Sequence, residues 1–132
     1  MIWTLVIVAA LVAGWHVHEG CWDRRLFTGD CRNLSARQTR AWLREHPETQ
    51  MLDVRSAREF ARGALPGAVN ISSGDRNFDT KAATLDKETP VLVYCAGGFR
   101  SRKTVERLKV LGFRTIRHLH RGHMSWRPDS RS

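Results

Sequence analysis

Val91-Leu92-Val93-Tyr94-Cys95-Ala96-Gly97-Gly98-Phe99-Arg100-Ser101 changes character twice within a short span. Its first four residues are apolar and β-prone, which predicts a strand buried on both faces. A cysteine then stands at the strand's carboxyl end, and a glycine-containing loop follows. From Ser101 to Leu111 the spacing turns helical, with Val105, Leu108 and Leu111 on one face and Gly112 as the stop. Strand, cysteine, tight loop and helix form an anion-binding layout. Loop N–H groups and the helix N-terminus converge on whatever the sulfur carries. The same field lowers a thiol's pKa and yields thiolate near neutral pH.

On the N-terminal side of this stretch, strands and helices alternate. Ser35 to His46 opens with a capping box, Ser35 and Gln38, and Pro47 stops that helix. Met51 to Val54 reads as a short strand with an acid inside it. A second capping box, Ser56 and Glu59, starts a short helix that Gly63 ends. Leu65-Pro66-Gly67 turns the chain into a strand over 68–71, and Phe78, Ala82, Ala83 and Leu85 mark a modest helix before Pro90. On the other side, residues 114–119 read as a last strand, and a short closing helix around Met124 brings Trp126 onto the core. This alternation predicts a three-layer α/β/α domain with a mainly parallel central sheet. Ligands of such sheets bind at the carboxyl ends of the strands, where Cys95 stands.

Several stretches together resemble the rhodanese-like (single-domain sulfurtransferase) family. These are Leu52-Asp53-Val54-Arg55, Glu59-Phe60, the run from Gly63 to Ile71, Cys95 to Ser101, and Leu111-Gly112-Phe113 with the late Gly122 and Trp126. The resemblance covers roughly residues 33–128, and the order and spacing of the motifs make it specific. It implies that Cys95 is the nucleophile and that Ala96, Gly97, Gly98, Phe99, Arg100 and Ser101 form the substrate-binding loop. It implies sulfane sulfur transfer through a persulfide on Cys95. The donor is a small anion such as thiosulfate, the acceptor is cyanide or a thiol, and neither cofactor nor metal is needed. Arg100, from its place in the motif, either braces the loop or meets the donor. Related phosphatases and arsenate reductases place five residues between cysteine and arginine, whereas four lie between Cys95 and Arg100, which favours sulfur. The family also supplies regulatory binding modules without catalysis, so that alternative stays open. Ala64 and Arg121 depart from the family pattern, standing where histidine and the first glycine of a closing pair are usual.

Composition bounds the rest. In 132 residues, 42% hydrophobic and 27% charged content describes an ordinary globular chain, with 22 Lys+Arg against 13 Asp+Glu giving +9. That balance suits small anions or an anionic lipid surface. Nucleic acid is not expected, since no aromatic-interleaved basic run or zinc-finger spacing occurs. Cys21, Cys31 and Cys95 lack the spacing of a disulfide framework or zinc site. Either Cys21 pairs with Cys31 and leaves Cys95 free, or all three are reduced. His118, His120 and His123 cluster in sequence, but no second group of ligands accompanies them, and no metal site is expected.

The segment 1–18 differs from everything after it. Residues 2–17 carry no formal charge and are apolar except for Thr4, Gly14 and His16. As a helix they span about 24 Å, somewhat short of a ~30 Å hydrocarbon core. The expectation is an N-terminal hydrophobic helix acting as a single-pass membrane anchor. Lysines and arginines begin only at Arg24, so the positive-inside rule puts the following domain in the cytoplasm. The alternative is a cleaved signal with export, using Val12-Ala13-Gly14 as the cleavage site. Residues 19–32 read as a connector, 33–128 as the folded domain and 129–132 as a tail.

Overall fold

A computed structural model describes residues 27–127. The expected hydrophobic helix and membrane anchor lie outside the described residues. Among those residues no helix is long and apolar enough to cross a membrane.

Five strands make one sheet: β1 (Asp30–Leu34), β2 (Gln50–Asp53), β3 (Val69–Asn70), β4 (Val91–Tyr94) and β5 (Thr115–Leu119). Their spatial order is β1-β5-β4-β2-β3, and every pairing is parallel. Among the described residues four helices connect or flank them: α1 (Ala36–Glu45), α2 (Ala57–Ala61), α3 (Phe78–Ala82) and α4 (Phe99–Val110). A 3₁₀ turn over His123–Ser125 closes the chain. Both capping boxes form as expected, at Ser35 with Gln38 and at Ser56 with Glu59.

Strand β4 is the central axis. All four of its residues are buried, as a strand covered on both faces requires. Its side chains alternate between two cores. Val91, Val93 and Cys95 join Leu52, Phe78, Val105, Leu108, Phe113 and Ile116 on the face covered by α3 and α4. Leu92 and Tyr94 join Leu65 and Leu119 on the other face, with Leu43 of α1 and Trp126 against them. Period-two alternation therefore decides that the Cys95 side chain emerges beneath α4.

Strand β1 differs from the sequence reading. Residues 30–32, expected to be connector, belong to β1, an edge strand whose ladder runs from Asp30 opposite Thr115 to Leu34 opposite Leu119. Within it Asp30, Arg32 and Asn33 are exposed, so the strand shows no apolar alternation by which to find it. On β5, Arg117 is buried. Its guanidinium lies 4.0 Å over the Trp42 ring and 2.6 Å from an Asp30 carboxylate oxygen, which ties β1 to α1. Cys31 is disulfide-bonded and Cys95 is free, so the reading with all thiols reduced does not hold.

Candidate active site

Cys95 leaves the end of β4 with its side chain 1% exposed. The backbone then turns sharply enough for its amides to face back on the sulfur. Gly98 N–H donates to Cys95 Sγ at 3.1 Å, and the N–H groups of Gly97 and Ser101 also act on it. Ser101 Oγ lies 3.3 Å away. Helix α4 begins at Phe99, two residues before the expected start, so its unpaired first-turn amides belong to this cradle.

The cradle is held from behind by the turn after β5. His123 N–H donates to the Cys95 carbonyl at 2.7 Å, and Met124 N–H to the Ala96 carbonyl at 3.0 Å. Carbonyl and N–H point opposite ways across a peptide plane. Anchoring the Ala96 carbonyl therefore turns the Gly97 N–H towards the sulfur. Two glycines make this close approach possible. Gly98 adopts φ 99°, and a Cβ there would meet the His120 carbonyl; Gly122 adopts φ 64°, and a Cβ there would lie 2.4 Å from the Ala96 oxygen.

The electrostatics favour an anion. Burial pushes the Cys95 thiol up, but the Ser101 hydroxyl and the amides of Ser101, Gly98 and Gly97 together outweigh it. The thiol titrates below its ordinary value. Arg100 braces the loop. Its guanidinium makes two parallel bonds to the Glu59 carboxylate, at 2.8 and 2.7 Å. Arg100, together with the Ser56 amide that caps against the same group, holds the Glu59 carboxyl far below the usual range. Asp53 and Arg55 form a second brace below the site, buried and bidentate, with the Arg55 guanidinium also donating to the Gly63 carbonyl at 2.6 Å. Phe99 is 74% exposed and Met124 75% exposed, so the mouth carries apolar side chains. Exposed Arg102, Lys103 and Arg121 stand nearby in sequence.

The residues from Ala96 to Ser101, expected to form the loop, do different things. Glycine and serine groups touch the sulfur, Arg100 pairs with Glu59 and also interacts with Cys95, and Phe99 faces solvent. The three histidines separate. His120 Nδ1 lies 3.0 Å from the Leu34 carbonyl, and His123 stacks near Tyr94. His118 was not expected at the site, yet its Nε2 lies 2.8 Å from Ser101 Oγ. Its only signal in the sequence is its position on β5, two residues past Ile116 on the same face.

Comparison with known proteins points the same way. The family model for the rhodanese-like domain matches residues 35–129. YtwF of Bacillus subtilis, which carries a sulfurtransferase name, is 29% identical over 102 residues, covering 77% of this chain and 96% of that protein. A tRNA uridine(34) hydroxylase of Anaplasma marginale is 35% identical over 85 residues, covering 61% of this chain. The matched part is 31% of that enzyme's length. Among solved structures, a rhodanese-related protein of Thermoplasma volcanium superposes with a TM-score of 0.60 at 29% identity, covering 72% of this chain and 89% of that one.

Proposed function

The chain belongs to the rhodanese-like domain family, and from that premise we propose that it is a sulfurtransferase working through a persulfide on Cys95. The observation that carries this reading is the free, buried Cys95 sulfur ringed by N–H groups, with its thiol shifted towards thiolate. The thiolate attacks the outer sulfur of an anionic donor such as thiosulfate. The donor's S–S bond breaks, and sulfite leaves with the electron pair. The Gly97, Gly98 and Ser101 amides that surround Sγ stabilise the charge of the resulting persulfide anion. An acceptor thiolate or cyanide then attacks the outer sulfur, and Cys95 departs as thiolate. With four residues between Cys95 and Arg100, the loop is shorter than that of enzymes acting on a tetrahedral oxyanion, which suits a cradle for a single sulfur.

The test is mass spectrometry after exposure to thiosulfate. We expect one added sulfur on Cys95 in the native chain and none in Cys95→Ser, together with loss of thiosulfate:cyanide transfer in that variant. Transfer that survives Cys95→Ser would remove Cys95 as the nucleophile. Absence of the added sulfur in the native chain would favour the non-catalytic binding module.

Membrane attachment through residues 2–17 remains a separate part of the proposal. The positive flank argues for a cytoplasmic domain, whereas the Cys31 disulfide argues for an oxidising compartment. A reporter enzyme fused to the C-terminus decides between them, since activity confined to the exported side would exclude the cytoplasm.

A further inference from the structure

Behind Cys95 a hydrogen-bonded chain runs through buried Ser101 and His118 to Asn33 on the edge strand β1. Cys95 Sγ lies 3.3 Å from Ser101 Oγ, Ser101 Oγ lies 2.8 Å from His118 Nε2, and His118 Nδ1 lies 2.9 Å from Asn33 Oδ1. Cys95, Ser101 and His118 are 1%, 0% and 2% exposed. We propose that His118 is the internal proton acceptor for the Cys95 thiol, reached through the Ser101 hydroxyl. The proposal rests on the reading of Cys95 as the nucleophile and adds a positioning residue to it.

The direction of each bond follows from what each atom can do. An amide oxygen only accepts, so with Asn33 Oδ1 facing Nδ1 that nitrogen carries the imidazole proton. Nε2 then presents a lone pair. Ser101 owns one proton, and Nε2 is the nearest acceptor for it. In the thiol state, therefore, the S–H donates to Ser101 Oγ, and Ser101 O–H donates to His118 Nε2.

Ionisation presents a choice. If the thiol proton went to bulk water, the Ser101 proton would be drawn to the thiolate, which the loop amides already serve, and Nε2 would be left without a donor. If it passes along the chain, nothing is left bare. The S–H bond breaks and that proton joins Oγ, while the proton already on Oγ joins Nε2. The electron pair of the S–H bond stays on sulfur, and nothing is oxidised or reduced. Afterwards Nε2–H donates to Oγ, Oγ–H donates to the thiolate, and Nδ1–H still donates to Asn33. Every bond survives, with two of them reversed.

The surrounding charges make this proton conditional on the sulfur's charge. Burial first, then His120 on β5 and Arg102 on α4, push the His118 imidazole down to about 4. Arg100 adds positive charge near the sulfur from α4, but Glu59 of α2 faces it directly. On β1 the group that faces the imidazole is the neutral Asn33 amide. An imidazolium at this position thus needs the adjacent anion. It persists while Cys95 cycles between thiolate and persulfide, since both carry negative charge.

The experiment is nitrogen-detected NMR of the histidine-labelled full chain, beside the pH dependence of Cys95 alkylation by iodoacetamide. In the native chain we expect His118 to carry protons on both ring nitrogens at neutral pH, wherever Cys95 alkylates as thiolate. In Cys95→Ala, which keeps Ser101 and Asn33, we expect a neutral ring with its proton on Nδ1. His118→Gln keeps hydrogen-bonding capacity but takes no proton. It should move the alkylation midpoint up by about one pH unit, a roughly tenfold slower reaction at neutral pH. A neutral His118 in the native chain, at a pH where Cys95 already alkylates, overturns the proposal, as does an unmoved midpoint in a folded His118→Gln. Persulfide loading with a neutral His118 would remove the relay and leave sulfur transfer standing. A coupled His118 without persulfide loading would do the reverse.

Discussion

Asn33 stands directly opposite His118 across the β1–β5 ladder, and its Oδ1 lies 2.9 Å from His118 Nδ1. His118 in turn stands opposite Val93 on β4, two residues before Cys95 on the same face. One row across three parallel strands thus carries an amide, an imidazole and the approach to the thiol. Parallel register aligns these residues, and α4 lays Ser101 over the row.

That alignment makes Ser101 the most informative single position near the sulfur. Its hydroxyl and amide are the largest influences lowering the thiol's pKa against the opposing effect of burial. Ser101→Ala removes the hydroxyl and keeps the amide. The alkylation midpoint of Cys95 should rise by about one to two pH units, the equivalent of one hydrogen bond to a charged group. Iodoacetamide kinetics against pH measure it. A midpoint unchanged from the native chain would mean that the amides alone set the thiolate.

Gly122 tests the rear support of the loop. It occupies φ 64°, and a methyl group there would lie 2.4 Å from the Ala96 oxygen and 2.5 Å from the Cys95 oxygen. Gly122→Ala should cost about 1–3 kcal/mol from backbone strain, with the overlap added to it. Relief of that overlap rotates the peptide planes that aim the Gly97 N–H. We therefore expect a lower Tm together with reduced persulfide loading. Full loading in a destabilised Gly122→Ala would separate fold support from the cradle.

The Glu59–Arg100 pair makes a pH-dependent prediction. Glu59 is held below its ordinary value of 4.5 in the folded chain. A group depressed on folding contributes stability above its unfolded pKa and loses it as pH falls towards the folded one. The side chains are 33% and 39% exposed, so screening limits the contribution to about 1 kcal/mol. Glu59→Gln should be less stable than the native chain by that amount at neutral pH. The gap should hold above about pH 5 and narrow below the ordinary carboxylate range. Urea titrations at several pH values measure it, and a gap that widens on acidification would contradict the assignment.

How much of this was legible beforehand depends on distance along the chain. Both capping boxes lie within four-residue windows, and both form at the expected residues. The strand before Cys95 was legible because four consecutive apolar residues have few other uses. Strand β1 was not, because Asp30-Cys31-Arg32-Asn33-Leu34 pairs through its backbone while exposing three of its side chains. Missing β1 hid Asn33, and without Asn33 nothing singled out His118 from its neighbours. Arg100 was placed in the loop from motif spacing, but its choice of Glu59, 41 residues away, depends on how α2 packs beside α4. Local chemistry could be read directly, while contacts created by strand register and helix packing needed the fold.

Tyr94 provides the control that separates the two faces of the sheet. It precedes Cys95, yet alternation sends its side chain to the opposite core, where its hydroxyl oxygen accepts the Leu65 N–H at 3.0 Å. The hydroxyl also bonds to Asp53, and burial first, then Asp53, push its pKa up. Tyr94→Phe keeps the ring volume but leaves the buried Leu65 N–H without its acceptor. The cost should be about 1–3 kcal/mol, seen as a lower midpoint in urea. Because Cys95 faces α4 and not this core, its alkylation profile should stay where it was. A shift of that profile in Tyr94→Phe would mean that the two faces are coupled through β4, and the assignment of Cys95's acidity to Ser101 and the loop amides would have to be revised.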